Sequence, residues 1–443
     1  MTATLWSALL QWSRVGIGTA LFLVAARILP LAELGAFATA FAPVRLSQGP
    51  VRAAVADAAV VLGTRAPALS ALAGLALAAS LVLAAGLWLA APLLPAAVSG
   101  PLRWLALVPP IWAVGAVPEG VLRRDMALKA LALRSIAAQG IAGGAALWLL
   151  MAGAGIWALV VFAVANAGLA SGLALLLSGW RPRRPAQGRT AARTLRDLAL
   201  REGVSGLPVP LAQMAVGAVF GLTAAGAFQI AARALQLADS LALAPLRYLA
   251  LPRLARDPAR LGGELERTCL VGGWIAALIA GAGPEGLALL VGPKAAAATP
   301  LFLALTPMPL IAAATMPVRQ ALAARGDTRA ALALSLLTLA ASVPALAAAL
   351  ALSPTAIAAA LPVAAAGAAA IWMRRGPARD IAAGAVPCAL AGPIAAAALA
   401  VLATRPIAAL GLPDPLAAAF LGLGVTAIYA ATAAVLRPAT ATA

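Results

Sequence analysis

Leu34 to Leu62 reads LGAFATAFAPVRLSQGPVRAAVADAAVVL. The stretch is longer than the ~20 residues that carry a helix across a bilayer, yet Arg45 and Arg52 stand inside it. An ionised side chain at the bilayer centre costs about 2.5 to 3.5 kcal/mol on insertion scales. Seven residues separate the two arginines, two turns along one stripe of a helix, and Gln48 lies beside that stripe. Pro43 and Gly49-Pro50 interrupt the same segment. A span tolerates such residues where the carbonyls they free meet water or polar neighbours. A broken, cationic span of this kind predicts a water-filled cavity and an anionic ligand.

Apolar windows of spanning length recur from end to end, near 5–27, 34–62, 68–95, 101–122, 131–152, 155–178, 202–223, 225–250, 268–291, 298–322, 329–352, 354–373, 381–403 and 414–436. With 63% hydrophobic and 10% charged residues among 443, the chain reads as an all-α integral membrane protein of about 14 transmembrane helices. Ala dominates the last four windows and adds little to insertion, so twelve is the lower count. The formal charge of +18 suggests nucleic acid until its placement is considered. One set of alternate loops holds Arg65, then Arg123, Arg124, Lys129 and Arg134, then the run from Arg181 to Arg201, and continues to Arg437. The opposite set holds Arg27, Arg103, Lys294 and Arg405. This positive-inside asymmetry predicts two cytoplasmic termini and no nucleic-acid partner. Met1-Thr2-Ala3-Thr4 lacks a basic n-region, so helix one is expected to be retained rather than cleaved.

The most polar stretch, Trp180 to Arg201, reads WRPRRPAQGRTAARTLRDLALR. It divides the chain into an N-terminal lobe (1–178), a cytoplasmic linker (179–201), a C-terminal lobe (202–373) and two additional helices with a short tail (374–443). Leu34-Gly35-Ala36-Phe37 at the start of helix two has a counterpart in Ala225-Gly226-Ala227-Phe228 at the start of helix eight, 191 residues on. Two pseudo-symmetric six-helix lobes are therefore expected. Helix eight repeats the polar logic of helix two, with Gln229, Arg233 and Gln236 at i, i+4 and i+7. Helix one adds Gln11 and Arg14. Arg14, Arg45, Gln48, Arg52, Gln229, Arg233 and Gln236 form the expected substrate-binding cavity. Arginine stays protonated, and its planar fork engages phosphate oxygens in pairs.

The bland alternative for each arginine is an ion pair or a snorkelling side chain, and Arg247 and Arg319, nearer the inner interface, read as snorkelling. Asp239 is the carboxylate nearest mid-depth and the first candidate for ion coupling, with Glu202 behind it. Glu119 and Asp57 approach the cytoplasmic ends of their helices and read as water-facing groups or partners of a loop arginine rather than as ion-coupling residues. No cofactor or metal is expected: His is absent, Cys269 and Cys388 have no ligand spacing, and no glycine-rich phosphate loop precedes a lysine. Both cysteines read as buried small residues. A glycan polymerase or ligase needs a sizeable outer domain, and the longest outer connection, 403–414, has no His and little else for acid/base chemistry. An enzyme is therefore not expected.

Further segments carry a resemblance: Ala26-Arg27-Ile28-Leu29-Pro30 followed by Leu34-Gly35, Leu122-Arg123-Arg124-Asp125-Met126, Gly155-Ile156-Trp157-Ala158-Leu159-Val160, and Trp180-Arg181-Pro182. Gly226-Ala227-Phe228 through Arg233 and Gln236-Leu237, then Leu322 through Gly326, complete the series. In this order and spacing they resemble the polysaccharide exporters and oligosaccharide flippases of the multidrug/oligosaccharidyl-lipid/polysaccharide superfamily. The resemblance implies a two-lobed bundle in a bacterial inner membrane that moves polyprenyl-pyrophosphate-linked glycans outward by alternating access. It also implies partner polymerases or glycosyltransferases, with a monomer as the default. A drug or cation exporter, a lipid-linked peptidoglycan precursor flippase and a membrane glycan polymerase are the competing readings. Gly292-Pro293-Lys294-Ala295 departs from the family pattern, which expects aromatic or acidic residues there.

Overall fold

The computed structural model describes residues 17–63, 66–184, 188–325, 327–375, 378–379, 385–408 and 414–435. Among these, every regular element is helical. Fourteen helices follow one another, and the first six are α1 (Ile17–Ile28), α2 (Leu31–Ser47, Gln48–Ala53 and Ala54–Leu62), α3 (Ala66–Ala90), α4 (Ala96–Leu105 and Val108–Arg124), α5 (Leu128–Met151) and α6 (Trp157–Ser178). Next come α7 (Gly188–Gly206, continued over 208–220), α8 (222–256), α9 (Leu261–Val291) and α10 (Ala295–Ala304 and Met308–Ala324). The series ends with α11 (Thr328–Ala349), α12 (Pro354–Met373), α13 (Ala385–Ala408) and α14 (Asp414–Val435).

By length and hydropathy alone, ten spans stand out. The difference from fourteen has physical causes. The described part of α1 is short, α2 is interrupted and charged, and two long apolar stretches each contain a reversal. Residues 208–256 are the clearer case. Gln213 Nε2 donates to the carbonyl of Ala225 at 2.9 Å, although residues twelve apart on one helix lie about 18 Å apart along its axis. The chain must turn back between them. Gly221, at φ 84° and ψ 173°, supplies the turn in a conformation that side chains avoid.

The turn also explains the repeat. Gly221 stands 191 residues after Pro30, the turn between α1 and α2, so both copies of the Gly-Ala-Phe signature open a helix just after a hairpin. Their glycines then meet. A Cβ on Gly35 would sit 1.7 Å from the Leu222 carbonyl oxygen, and one on Gly226 would sit 2.1 Å from that of Leu31. Leu31 and Leu222 share the same offset, so equivalent residues contact one another reciprocally, as across a local two-fold axis. Small residues let membrane helices approach this closely. Gly35→Ala should destabilise the protein by about 1 to 3 kcal/mol, the usual range for forced overpacking. A melting temperature of the purified protein that does not fall would show that the crossing relaxes freely.

A second repeated feature lies in α4 and α10. Each breaks after a ten-residue piece and resumes for seventeen residues. Pro109 and Pro309 have no N–H to give to the carbonyls of Leu105 and Leu305, which is where each helix opens.

The chain packs as two compact units, Met1–Gly226 and Ala227–Ala443. The polar segment 179–201 lies within the first of these units. That segment is helical from Gly188 and docks on α2 and α3. Its Ala191, Leu195 and Leu198 turn inward while Arg193 and Arg196 stay exposed, an amphipathic stripe that buries one face. In the second unit, α13 and α14 pack on α9. There the Tyr429 hydroxyl donates to the Leu270 carbonyl at 2.8 Å, and Trp274 Nε1 donates to Thr426 Oγ1 at 3.1 Å. Exposed aliphatic side chains cover the helices, and Trp88, Trp104, Trp148 and Trp157 are exposed near one set of helix ends in the first unit. A lipid-facing surface with an aromatic belt has this pattern. The protein is a multi-pass membrane protein.

Candidate functional site

Arg45 stands at the middle of α2 and is half-buried. Among the described residues its side chain makes no hydrogen bond or ion pair, so the five donors of its guanidinium are uncommitted there. Three residues further on, the helix widens into a π turn over Gln48–Ala53, where the Ala54 N–H reaches the Gly49 carbonyl, five residues back. Pro50 is the cause, because it has no N–H to continue the α ladder. A π turn accommodates one extra residue, which rotates everything beyond it by about 100°.

That rotation separates the two arginines that the sequence places on one stripe. Arg52 swings toward α4, where its Nε lies 3.2 Å from Glu119 Oε2. Glu119 is 2% exposed and also receives Arg123 Nη2 at 2.5 Å and Arg134 Nη2 at 3.1 Å. Arg123 Nη1 reaches Asp57 Oδ1 at 3.2 Å. Glu119 and Asp57 thus pair with a loop-end arginine as the sequence predicts. Three arginines and two carboxylates meet here among the described residues. Arg134 requires a correction. The charge-asymmetry reading places it in a cytoplasmic loop, whereas α5 begins at Leu128 and buries Arg134 to 2% exposure. The loop is only Asp125 to Ala127, so Arg134 lies two turns inside the helix.

In the second unit, α8 remains regular beyond Gly221, and Gln229, Arg233 and Gln236 stay on one face. Gln229 is buried and Arg233 half-buried. Arg233 Nη1 donates to Gln236 Oε1 at 3.3 Å. Asp239 is half-buried near the midpoint of α8. Gln11 and Arg14 lie outside the described residues, as do the side chains of Glu202 and Cys388, and Cys269 is a buried free thiol. A polar element that the sequence reading did not single out is Arg134, and its signal was present: an arginine six residues inside an apolar helix.

A family model described as polysaccharide biosynthesis protein matches residues 24–269, more than half of the chain. The chain belongs to the polysaccharide biosynthesis protein family. No curated relative matches it by sequence. Solved structures match its fold. The lipid II flippase MurJ in an inward closed conformation covers 98% of this chain and 97% of its own, with 12% identity and a TM-score of 0.75. A multidrug resistance MATE family transporter of the MOP superfamily, inward-facing, covers 83% and 96% with 14% identity and a TM-score of 0.59. A MOP superfamily transporter from Pyrococcus furiosus, described as having a binding pocket of reverse polarity, covers 84% and 94% with 14% identity and a TM-score of 0.59. At such identities the likeness shows the fold, that of the MOP-superfamily transporters and flippases.

The segments that carry the family likeness serve mostly as anchors in this chain. Glu33 Oε2 accepts the Ile156 N–H at 3.1 Å, capping the start of α6 with a carboxylate, where the helix dipole favours negative charge. Arg124 Nη1 donates to the Gly63 carbonyl at 2.7 Å, closing the α4–α5 turn on the end of α2. Its guanidinium also bonds Asp125, holding that exposed carboxyl below the usual range. Gly35 and Gly226 form the helix crossing. Arg45 belongs to none of these anchors.

Proposed function

We propose that this polysaccharide biosynthesis family member is a flippase or exporter for polyprenyl-pyrophosphate-linked oligosaccharide or polysaccharide units, and not an enzyme. The observation that carries the reading is Arg45: a cation at mid-span beside a Pro-driven π turn, with no counter-charge among the described residues. A side chain with that insertion cost is retained where an anion meets it. Pyrophosphate fits because guanidinium binds phosphate oxygens in pairs. Arg233, Gln229 and Gln236 serve the same headgroup in this reading, while the polyprenyl chain stays in lipid and the two halves alternate access. Arg52 contributes charge through the Glu119 cluster.

A cationic drug substrate would need mid-span carboxylates, and the basic character of α2 disfavours it. Lipid-linked peptidoglycan precursor transport shares the pyrophosphate chemistry, and the MurJ fold is consistent with it. The proposed setting is a bacterial inner membrane with both termini cytoplasmic, and the proposed form is a monomer. Deleting the gene and identifying the lipid-linked sugar that accumulates tests the reading. Intact lipid-linked units retained on the inner leaflet are expected. Single units found on the outer leaflet would point to a lost polymerase instead, and accumulated peptidoglycan precursor would reassign the substrate.

A further inference from the structure

The second unit contains a cavity of about 690 Å³ between α10, α12 and α13, within the roughly 300 to 1,000 Å³ usual for small-molecule sites. Its wall on α12 is Ala366, Ala369, Ala370 and Met373, one stripe two turns long that spans about 10 Å. Alanines leave the space: Ala366 and Ala370 are exposed at its edge. Aliphatic side chains of α10 and α13 complete it. The wall offers almost nothing polar. Thr315 is its hydroxyl, and that hydroxyl already donates to the Ile311 carbonyl of its own helix at 2.8 Å. Among the described residues its charged lining is Arg374 and Arg379. Both are exposed, and neither side chain makes an ion pair or hydrogen bond with a described residue.

We infer that this groove holds one acyl chain of an anionic phospholipid, with the headgroup phosphate on Arg374 and Arg379. A dry channel within membrane-spanning helices selects hydrocarbon, because there is no donor or acceptor in it to satisfy a polar ligand. The arginines sit at the junction of α12 with the α12–α13 connection, among the basic loops, where anionic headgroups lie. Two arginines lining one cavity match a phosphate in charge, and the planar fork of each suits its oxygens. The lining includes none of the mid-span arginines of α2 and α8. It ties α13 to α12 and α10 through a bound lipid.

The test uses the full-length protein in nanodiscs of phosphatidylglycerol or phosphatidylcholine with matched acyl chains, followed by native mass spectrometry of lipid retained after detergent release. One retained phosphatidylglycerol is expected, with a melting temperature several degrees higher in phosphatidylglycerol than in phosphatidylcholine. The exposed pair Arg374→Gln and Arg379→Gln should erase that difference, and Ala370→Phe should expel the retained lipid by filling the groove. If Ala370→Phe fails to fold, the arginine pair still decides. Equal retention of the two phospholipids, equal retention by wild type and the arginine variant, or no lipid retained at all would each overturn the assignment. In a mixed-lipid arm, preferential retention of undecaprenyl phosphate would overturn it too, by giving the groove to an isoprenoid tail.

Discussion

Arg45→Ala is expected to cut transport about 10- to 100-fold, the loss that follows from removing one charge-assisted contact of about 1.5 to 3 kcal/mol. The same variant should reach the membrane in normal amounts and melt no lower than wild type. Both halves of this expectation come from one fact. Arg45 has no partner among the described residues, so its removal leaves no buried acid stranded and relieves a side chain costing about 2.5 to 3.5 kcal/mol to place at mid-span. Arg45→Lys should fall between the two, keeping the charge and losing the fork. Surface polymer, measured against membrane abundance by immunoblot, is the readout. Undiminished polymer from Arg45→Ala would remove the proposed anion site, and a parallel loss of protein would recast Arg45 as a structural residue.

Glu119→Gln is expected to do the opposite: lower stability by about 3 to 5 kcal/mol, the usual penalty for breaking a buried ion pair from one side. Glu119 accepts from Arg52, Arg123 and Arg134, and Arg134 is as buried as the carboxylate it meets. Arg134 Nε has no hydrogen-bond partner among the described residues, so the neutral amide would strand a charge already short of partners. Arg52 is partly exposed and would turn to water, and Arg123 keeps Asp57. Arg134→Met added to Glu119→Gln should therefore recover part of the loss, a coupling that a double-mutant cycle on melting temperature would detect. Additive losses would mean that the carboxylate and Arg134 are energetically independent despite their 3.1 Å contact.

The contrast between these residues shows where sequence reading stops. Hydropathy located the spanning segments, because a span must be apolar for about 20 residues whatever it packs against. Charge counting recognised Arg45 as anomalous for the same reason. The stripe of Arg45 and Arg52 assumed 3.6 residues per turn throughout, and one proline altered the count. The windows 202–223 and 225–250 already separate Gln213 from Ala225, but the apolar pattern carries no sign that the turn falls at Gly221 or that the Gln213 amide reaches the Ala225 carbonyl across it. Arg134 was misplaced by a boundary, because helix ends follow local hydrogen bonding and the reading relied on hydropathy.

What the sequence determined by itself is the material: helices of spanning length, a duplicated pattern, and cations where a bilayer opposes them. These depend on composition along the chain and on a solvent that is the same everywhere in the membrane. Tertiary structure decided the assignment of each charge. Arg52 and Arg134 meet Glu119 because packed helices bring their side chains within 4 Å of it, whereas Arg45 meets no described acid. Whether a buried arginine is a structural partner or an open site depends on which side chains share its surroundings, and a linear pattern does not contain that distance.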